Sequence, residues 1–183
     1  MLPEAMRENG IDMWITVNRE GLDDPLTDDL GRGYVGDWGY YVFTDRGDRL
    51  ERALLGVGTR LVEANGAYDI MRPEADLAGF VAERDPGTIA LNFAEHIGAA
   101  DGLSHTAYEK LRTELGAVYG ERIVSAEKLI SDFRSRRVAT EIAAFARAGE
   151  LSRQIAERAL SNEVITPGIT TLEDVAWWMR EQQ

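Results

Sequence analysis

The period of the apolar residues changes once along this 183-residue chain, and that change limits what the chain can become. Up to about residue 132, short stretches with the period of a strand alternate with short stretches with the period of a helix. Beyond it lie one long helical run, a turn and a last helix. Met1–Asn9 reads as a short helix closed by Asn9-Gly10. Ile11, Met13, Ile15 and Val17 alternate with Asp12, Trp14 and Thr16, as in a strand. Residues 18–37 read as a solvated loop, with Glu20, Asp23, Asp24, Asp28 and Asp29 around Pro25, then Gly31, Gly33 and Gly36. Tyr40–Thr44 is a strand, Asp45-Arg46-Gly47-Asp48 a hairpin turn, and Arg52–Val57 the return strand. Pro73 suits the first turn of a helix that carries Leu77, Phe80 and Val81. Thr88–Phe93 is almost continuously apolar, so it predicts an internal strand. Leu103–Leu115 predicts a helix capped by Ser104, followed by a short strand at Arg122–Ser125 and a short helix at Ala126–Ser131. This alternation is the pattern of an α/β layer domain with a mixed sheet.

From about Arg136 to Leu160 one helical run carries Val138, Ile142, Phe145, Leu151 and Ile155. Pro167-Gly168 suits the centre of a type II turn, and Thr170 with Glu173 has capping-box spacing for a last helix. Trp177 and Trp178 are adjacent on that helix, and each offers on the order of 150–250 Å² for burial. The expectation is two domains: an α/β domain over 1–132, and over 133–183 the first helices of a second domain whose remainder is absent. Trp177 and Trp178 are then expected to be exposed or covered by another chain.

Charge follows the same division. Residues 1–132 hold 25 acids and 13 bases, a net −12, whereas 133–183 hold 7 of each. The acidic balance argues against a nucleic-acid backbone as partner, because phosphate neutralisation needs clustered cations. The chain has no cysteine, which excludes disulfides, Cys-zinc sites and cysteine nucleophiles. No apolar run approaches the roughly 20 residues of a membrane span, and the first residues lack the apolar core of a signal peptide. Cytoplasm is the expected compartment.

Internal motifs are weak. Gly31-Arg32-Gly33-Tyr34-Val35-Gly36 has the spelling of a dinucleotide loop, but it follows an acidic loop and precedes a strand, where the mechanism needs strand then helix. The acidic run 20–29 lacks the alternating ligands and central glycine of a calcium loop. His96 and His105, the two histidines, are too widely spaced to share a helical face as zinc ligands. Ser104-His105 is no nucleophile–base pair on adjacency alone.

The order of several segments carries more. Ile11-Asp12-Met13-Trp14-Ile15, Arg19-Glu20, Asp24-Pro25, Ile89-Ala90-Leu91-Asn92, Ala100-Asp101-Gly102-Leu103-Ser104 and Val124-Ser125-Ala126-Glu127 resemble, in this order, the N-terminal domain of the creatinase type. Arg136-Arg137, Glu141-Ile142, the alanine-rich helix 143–160 and Ile165-Thr166-Pro167-Gly168-Ile169-Thr170-Thr171-Leu172-Glu173-Asp174-Val175 resemble the opening of the pita-bread catalytic domain. That family includes Xaa-Pro aminopeptidase, prolidase, creatinase and methionine aminopeptidase. Trp177-Trp178-Met179-Arg180 is similar to an Xaa-Pro aminopeptidase-like subgroup. Residues 26–39 depart from the family by being Gly- and Asp-rich and short.

The resemblance implies a creatinase-like mixed sheet flanked by helices, followed by two helices of a truncated pita-bread domain. It implies a parent hydrolase with two divalent metal ions (Mn, Co or Zn), acting on peptides as an Xaa-Pro aminopeptidase or dipeptidase. The family's metal ligands lie beyond the opening helices, so no catalytic or metal-binding residue is assigned here, and this chain alone is expected to be inactive. The implied role is accessory: homodimer contacts and a narrowed active-site mouth, with Trp14, Asn18 and Arg19 as the substrate-proximal candidates. Two alternatives of the same fold are a non-catalytic peptide- or protein-binding module and a creatinase-type amidinohydrolase.

Overall fold

The computed structural model describes residues 1–31, 33–58 and 66–182. The chain divides into two compact units, Met1–Arg136 and Arg137–Gln183. The elements of the first unit are α1 (Leu2–Glu8), β1 (Met13–Asn18), α2 (Thr27–Leu30), β2 (Tyr34–Asp45), β3 (Leu50–Gly58), β4 (Ile70–Arg72), α3 (Leu77–Ala82), β5 (Ile89–Leu91), α4 (His105–Gly120), β6 (Ile123–Ser125) and α5 (Glu127–Ser135).

The six strands form one mixed sheet in the order β4-β3-β2-β1-β5-β6. The hairpin β2–β3 and the pair β1–β2 are antiparallel, and β1–β5, β5–β6 and β3–β4 are parallel. The hairpin turns where the sequence predicts, with Gly47 at φ 87° and the Arg46 N–H donating to Arg49 at 2.9 Å. Gly10, at φ 66°, ends α1.

Because β1 is central, both of its faces are covered, and the polar phase of its alternation is buried as deeply as the apolar one. Met13, Ile15 and Val17 pack with Tyr40, Val42, Phe80, Val81 and Leu111, under α3 and α4. Trp14 lies on the opposite face with Phe43, Tyr41, Leu54 and Ala90, under α1 and α5. The result is a three-layer sandwich, with helices on both faces of the sheet. β5 is internal and fully buried, as its apolarity requires.

Four local expectations are corrected. The glycine-rich stretch after residue 33 is strand, because β3 supplies partners from Tyr34↔Gly58 onward, with an irregular register between Val35 and Tyr40. Pro73 does not open a helix: β4 occupies 70–72, and α3 starts later, where the Asp76 carboxylate accepts from the Gly79 N–H at 2.9 Å. The last helix of the sheet unit runs on to Ser135, beyond the expected end at Ser131. The cap of the terminal helix is shifted by one residue, as described below. Ser104 caps α4 as predicted, accepting from the Ala107 N–H at 3.2 Å.

In the second unit, α6 (Ala139–Ala159) and α7 (Leu172–Glu181) flank a turn. Glu141 accepts the Val138 N–H at 2.9 Å at the start of α6. Gly168 has φ 79° and the Ile169 N–H donates to the Thr166 carbonyl at 3.1 Å, so Pro167-Gly168 forms the predicted turn. Thr170 is used by this turn: its Oγ1 accepts the Thr166 N–H at 2.8 Å. The capping box therefore belongs to Thr171 and Asp174, which accept each other's backbone N–H at 3.2 and 2.9 Å. Ala159 is the one buried residue among the described residues of this unit; Ile142, Phe145, Leu151, Leu172 and Trp177 are more than half exposed, and Trp178 is half-buried. No helix among the described residues is long and apolar enough to cross a membrane.

Candidate functional site

Two groups of polar and aromatic side chains meet near the C-terminal end of β1, one buried and one open. The buried group begins with Trp14, which is wholly inside the unit, stacked on Phe43 with centroids 5.2 Å apart and edge-on to Phe133 at 6.1 Å. Its Nε1–H donates to Asn92 Oδ1 at 2.7 Å. The Asn92 amide nitrogen donates in turn to Asp24 Oδ2 at 2.9 Å and to Thr16 Oγ1 at 3.3 Å. Asp24 Oδ1 accepts the Leu26 N–H at 2.9 Å. Asn18, 1% exposed, accepts the Asp24 N–H at 3.0 Å and the Thr27 hydroxyl at 3.1 Å. Its own amide nitrogen has no hydrogen-bond partner among the described residues.

Asp24 is 4% exposed, so the acidic stretch 20–29 is not the fully solvated loop that its composition suggests. Burial pushes the Asp24 carboxyl above its usual range, opposed by the Leu26 N–H and the Asn92 amide. The Gly102 backbone lies against this carboxylate, since a Cβ there would stand 2.2 Å from Oδ2. The network thus ties the loop after β1 to the end of β5 and to the turn before α4.

The open group starts one residue beyond Asn18. The Arg19 guanidinium lies over the Trp38 ring, 4.6 Å from its centroid. Lys110 Nζ lies over the same ring at 4.0 Å. Neither cation has an ion-pair partner among the described residues. Trp38 sits in the irregular segment of β2, which turns it out of the regular register with β3. It lines a cleft of about 650 Å³ bounded by Tyr34, Asp37, Tyr40, Val57, Met71 and Lys110. At the inner wall the Tyr40 hydroxyl donates to Glu114 at 3.3 Å; burial and then the Glu114 charge push its pKa upward.

Of the three sequence candidates, Trp14 and Asn18 are interior, and Arg19 is half-buried against Trp38 without lining the cleft itself. Sequence reasoning missed Trp38 and Lys110. Trp38 directly follows the stretch 18–37 that reads as loop, and Lys110 belongs to a distant helix. Backbone groups of Gly31 and Gly33 are engaged within the fold: the Tyr41 hydroxyl donates to the Gly31 carbonyl at 2.8 Å and accepts the Gly33 N–H at 3.1 Å. His96 and His105 are both exposed. Among the described residues, no group of three or more His, Cys, Asp or Glu side chains is placed to hold a metal ion. The residues described do not fit a dinuclear centre.

No protein-family model matches the chain, and no curated protein matches it. Among solved structures, prolidase from Pyrococcus furiosus aligns with 99% of this chain and 52% of its own, at 17% identity and a TM-score of 0.46. The chain therefore spans about half the length of that prolidase. The likeness is distant and concerns the fold.

Proposed function

We propose that this chain is the N-terminal, non-catalytic part of a proline-directed metallopeptidase of the Xaa-Pro aminopeptidase or dipeptidase type. The sheet unit supplies dimer contacts and narrows the mouth of an active site that lies outside these residues, in a cytoplasmic protein. The observation that carries this reading is the order of the family-like segments, from Ile11–Ile15 through Ile89–Asn92 to Pro167-Gly168. Each of them forms the type of element the reading requires: a strand, a second strand, and a turn leading to a capped helix.

The test is hydrolysis of an Xaa-Pro dipeptide by the 183-residue chain with Mn²⁺, together with sedimentation analysis. The expected outcome is a dimer without turnover. Robust metal-dependent hydrolysis by this chain overturns the assignment of the catalytic residues to another segment, and a strict monomer overturns the assembly role. The open cleft beside Trp38 favours a second reading, a peptide-binding module without catalysis. Peptide binding by a monomeric, inactive chain distinguishes it.

A further inference from the structure

We infer that the cleft beside Trp38 is a binding site for a singly charged carboxylate on an apolar body, such as the C-terminal residue of a short peptide. This inference stands whether or not the chain belongs to a peptidase. Arg19 and Lys110 are both held over one indole ring, at 4.6 and 4.0 Å, in a chain with 32 acids and 20 bases. Neither has an ion-pair partner among the described residues, and Lys110 lines the cleft itself. The indole holds them by its quadrupole, which satisfies none of their N–H donors. A ligand carboxylate can accept from Lys110 while the ammonium keeps its contact with the ring, and a charge-assisted hydrogen bond is the stronger interaction.

The rest of the cleft suits an apolar body. Tyr34 is 74% exposed on its wall, and Met71 and Val57 also line it. Gly36, Gly56 and Gly58 contribute no side chains, which leaves the space open. Gly56 is held at φ 65° with its Cα hydrogen toward the Trp38 carbonyl, where a Cβ would stand 2.5 Å away. Arg72 also lines the cleft but is paired with Glu83 at 3.3 Å, so the remaining charges beside Lys110 are Asp37 on the same wall and Glu114 behind Tyr40. These two acids disfavour a doubly charged anion such as phosphate. A volume of about 650 Å³ lies in the range of small-molecule sites and accommodates a few residues.

The experiment is a titration of the full 183-residue chain with N-acetyl-Ala-Pro-Phe as free acid, as C-terminal amide, and with inorganic phosphate. The indole N–H signals are followed by NMR, with the Trp38 signal assigned by Trp38→Phe. The free acid is expected to move the Trp38 signal and leave the buried Trp14 signal in place. The amide is expected to bind about tenfold more weakly, the loss of one charge-assisted hydrogen bond at a partly exposed site. Lys110→Met is expected to weaken the acid by a similar factor and leave the amide unchanged, while Lys110→Arg retains binding. Equal binding of acid and amide overturns the inference, as does an unmoved Trp38 signal or phosphate binding as tight as the acid. The acid–amide comparison is made on the unaltered chain and depends on no variant folding.

Discussion

Replacing Asn92 with alanine removes the side chain that joins Trp14, Thr16 and Asp24. Two buried groups lose their partner outright: the indole N–H at 2.7 Å and the carboxylate oxygen at 2.9 Å. A buried polar group left unpaired costs about 1–3 kcal/mol, so the two together predict a loss of roughly 2–6 kcal/mol. That is a large part of the roughly 5–15 kcal/mol that stabilises an ordinary domain. The cost should depend on pH with a definite sign. The Asn92 amide favours the charged form of Asp24, so its removal raises a carboxyl pKa that burial has already raised. Below the unfolded value of about 3.9, Asp24 is protonated in both states and this part of the cost vanishes. The unfolded state is common to both proteins, so the cost grows as pH rises through the raised folded-state pKa of Asp24. Urea denaturation followed by fluorescence, at pH 4 and pH 7, measures both quantities. Repeating the substitution in a Trp14→Phe background, where no indole donor remains, should recover about 1 kcal/mol or more of the loss. A cost below about 1 kcal/mol in the Trp14 protein, or the same cost in both backgrounds, would show that the network does not contribute as its geometry requires.

Two further outcomes can be checked. The Glu127 carboxylate is held below its usual range: some desolvation pushes it up, but the N–H groups of His96, Glu95 and Ile97 outweigh it, at 2.8, 3.2 and 2.7 Å. Its contribution to stability is therefore present above the unfolded value of about 4.3 and lost as pH falls through the lower folded value. Glu127→Gln should flatten the acid limb of a pH series of urea midpoints, and an unchanged limb contradicts this. Gly56→Ala places a Cβ on a residue at φ 65° and 2.5 Å from the Trp38 carbonyl. It should destabilise the unit by about 1–3 kcal/mol of backbone strain; a thermal melt equal to that of the parent protein contradicts the cradle around Trp38.

What the sequence makes legible is local. The β1 alternation, the Asp45–Asp48 turn, the Ser104 cap and the Pro167-Gly168 turn depend on residues adjacent in the chain, and each is found where its chemistry requires. What it conceals depends on partners far away. The segment 34–39 is poor in strand formers, with Gly36, Asp37 and Gly39, and becomes strand because β3 offers a ladder. Asp24 reads as one acid among five in a loop and becomes interior because Asn92 and Asn18 meet it. Lys110 is unremarkable on its own helix, and only the sandwich brings it over Trp38. The candidate site is made of such long-range meetings, and so only Arg19 among its cations was within reach of sequence reading.

The first and last helices of the sheet unit are neighbours. The Asn9 amide donates to Asp132 at 2.7 Å, and Arg136 pairs with Glu8. A fold whose two ends adjoin behaves as a cassette. It can be excised after Arg136, grafted into a surface loop of a host, or rejoined end to end and reopened elsewhere, without a strand having to leave the sheet. Gene rearrangement can therefore move this sandwich between proteins as one piece, and protein engineers can do the same.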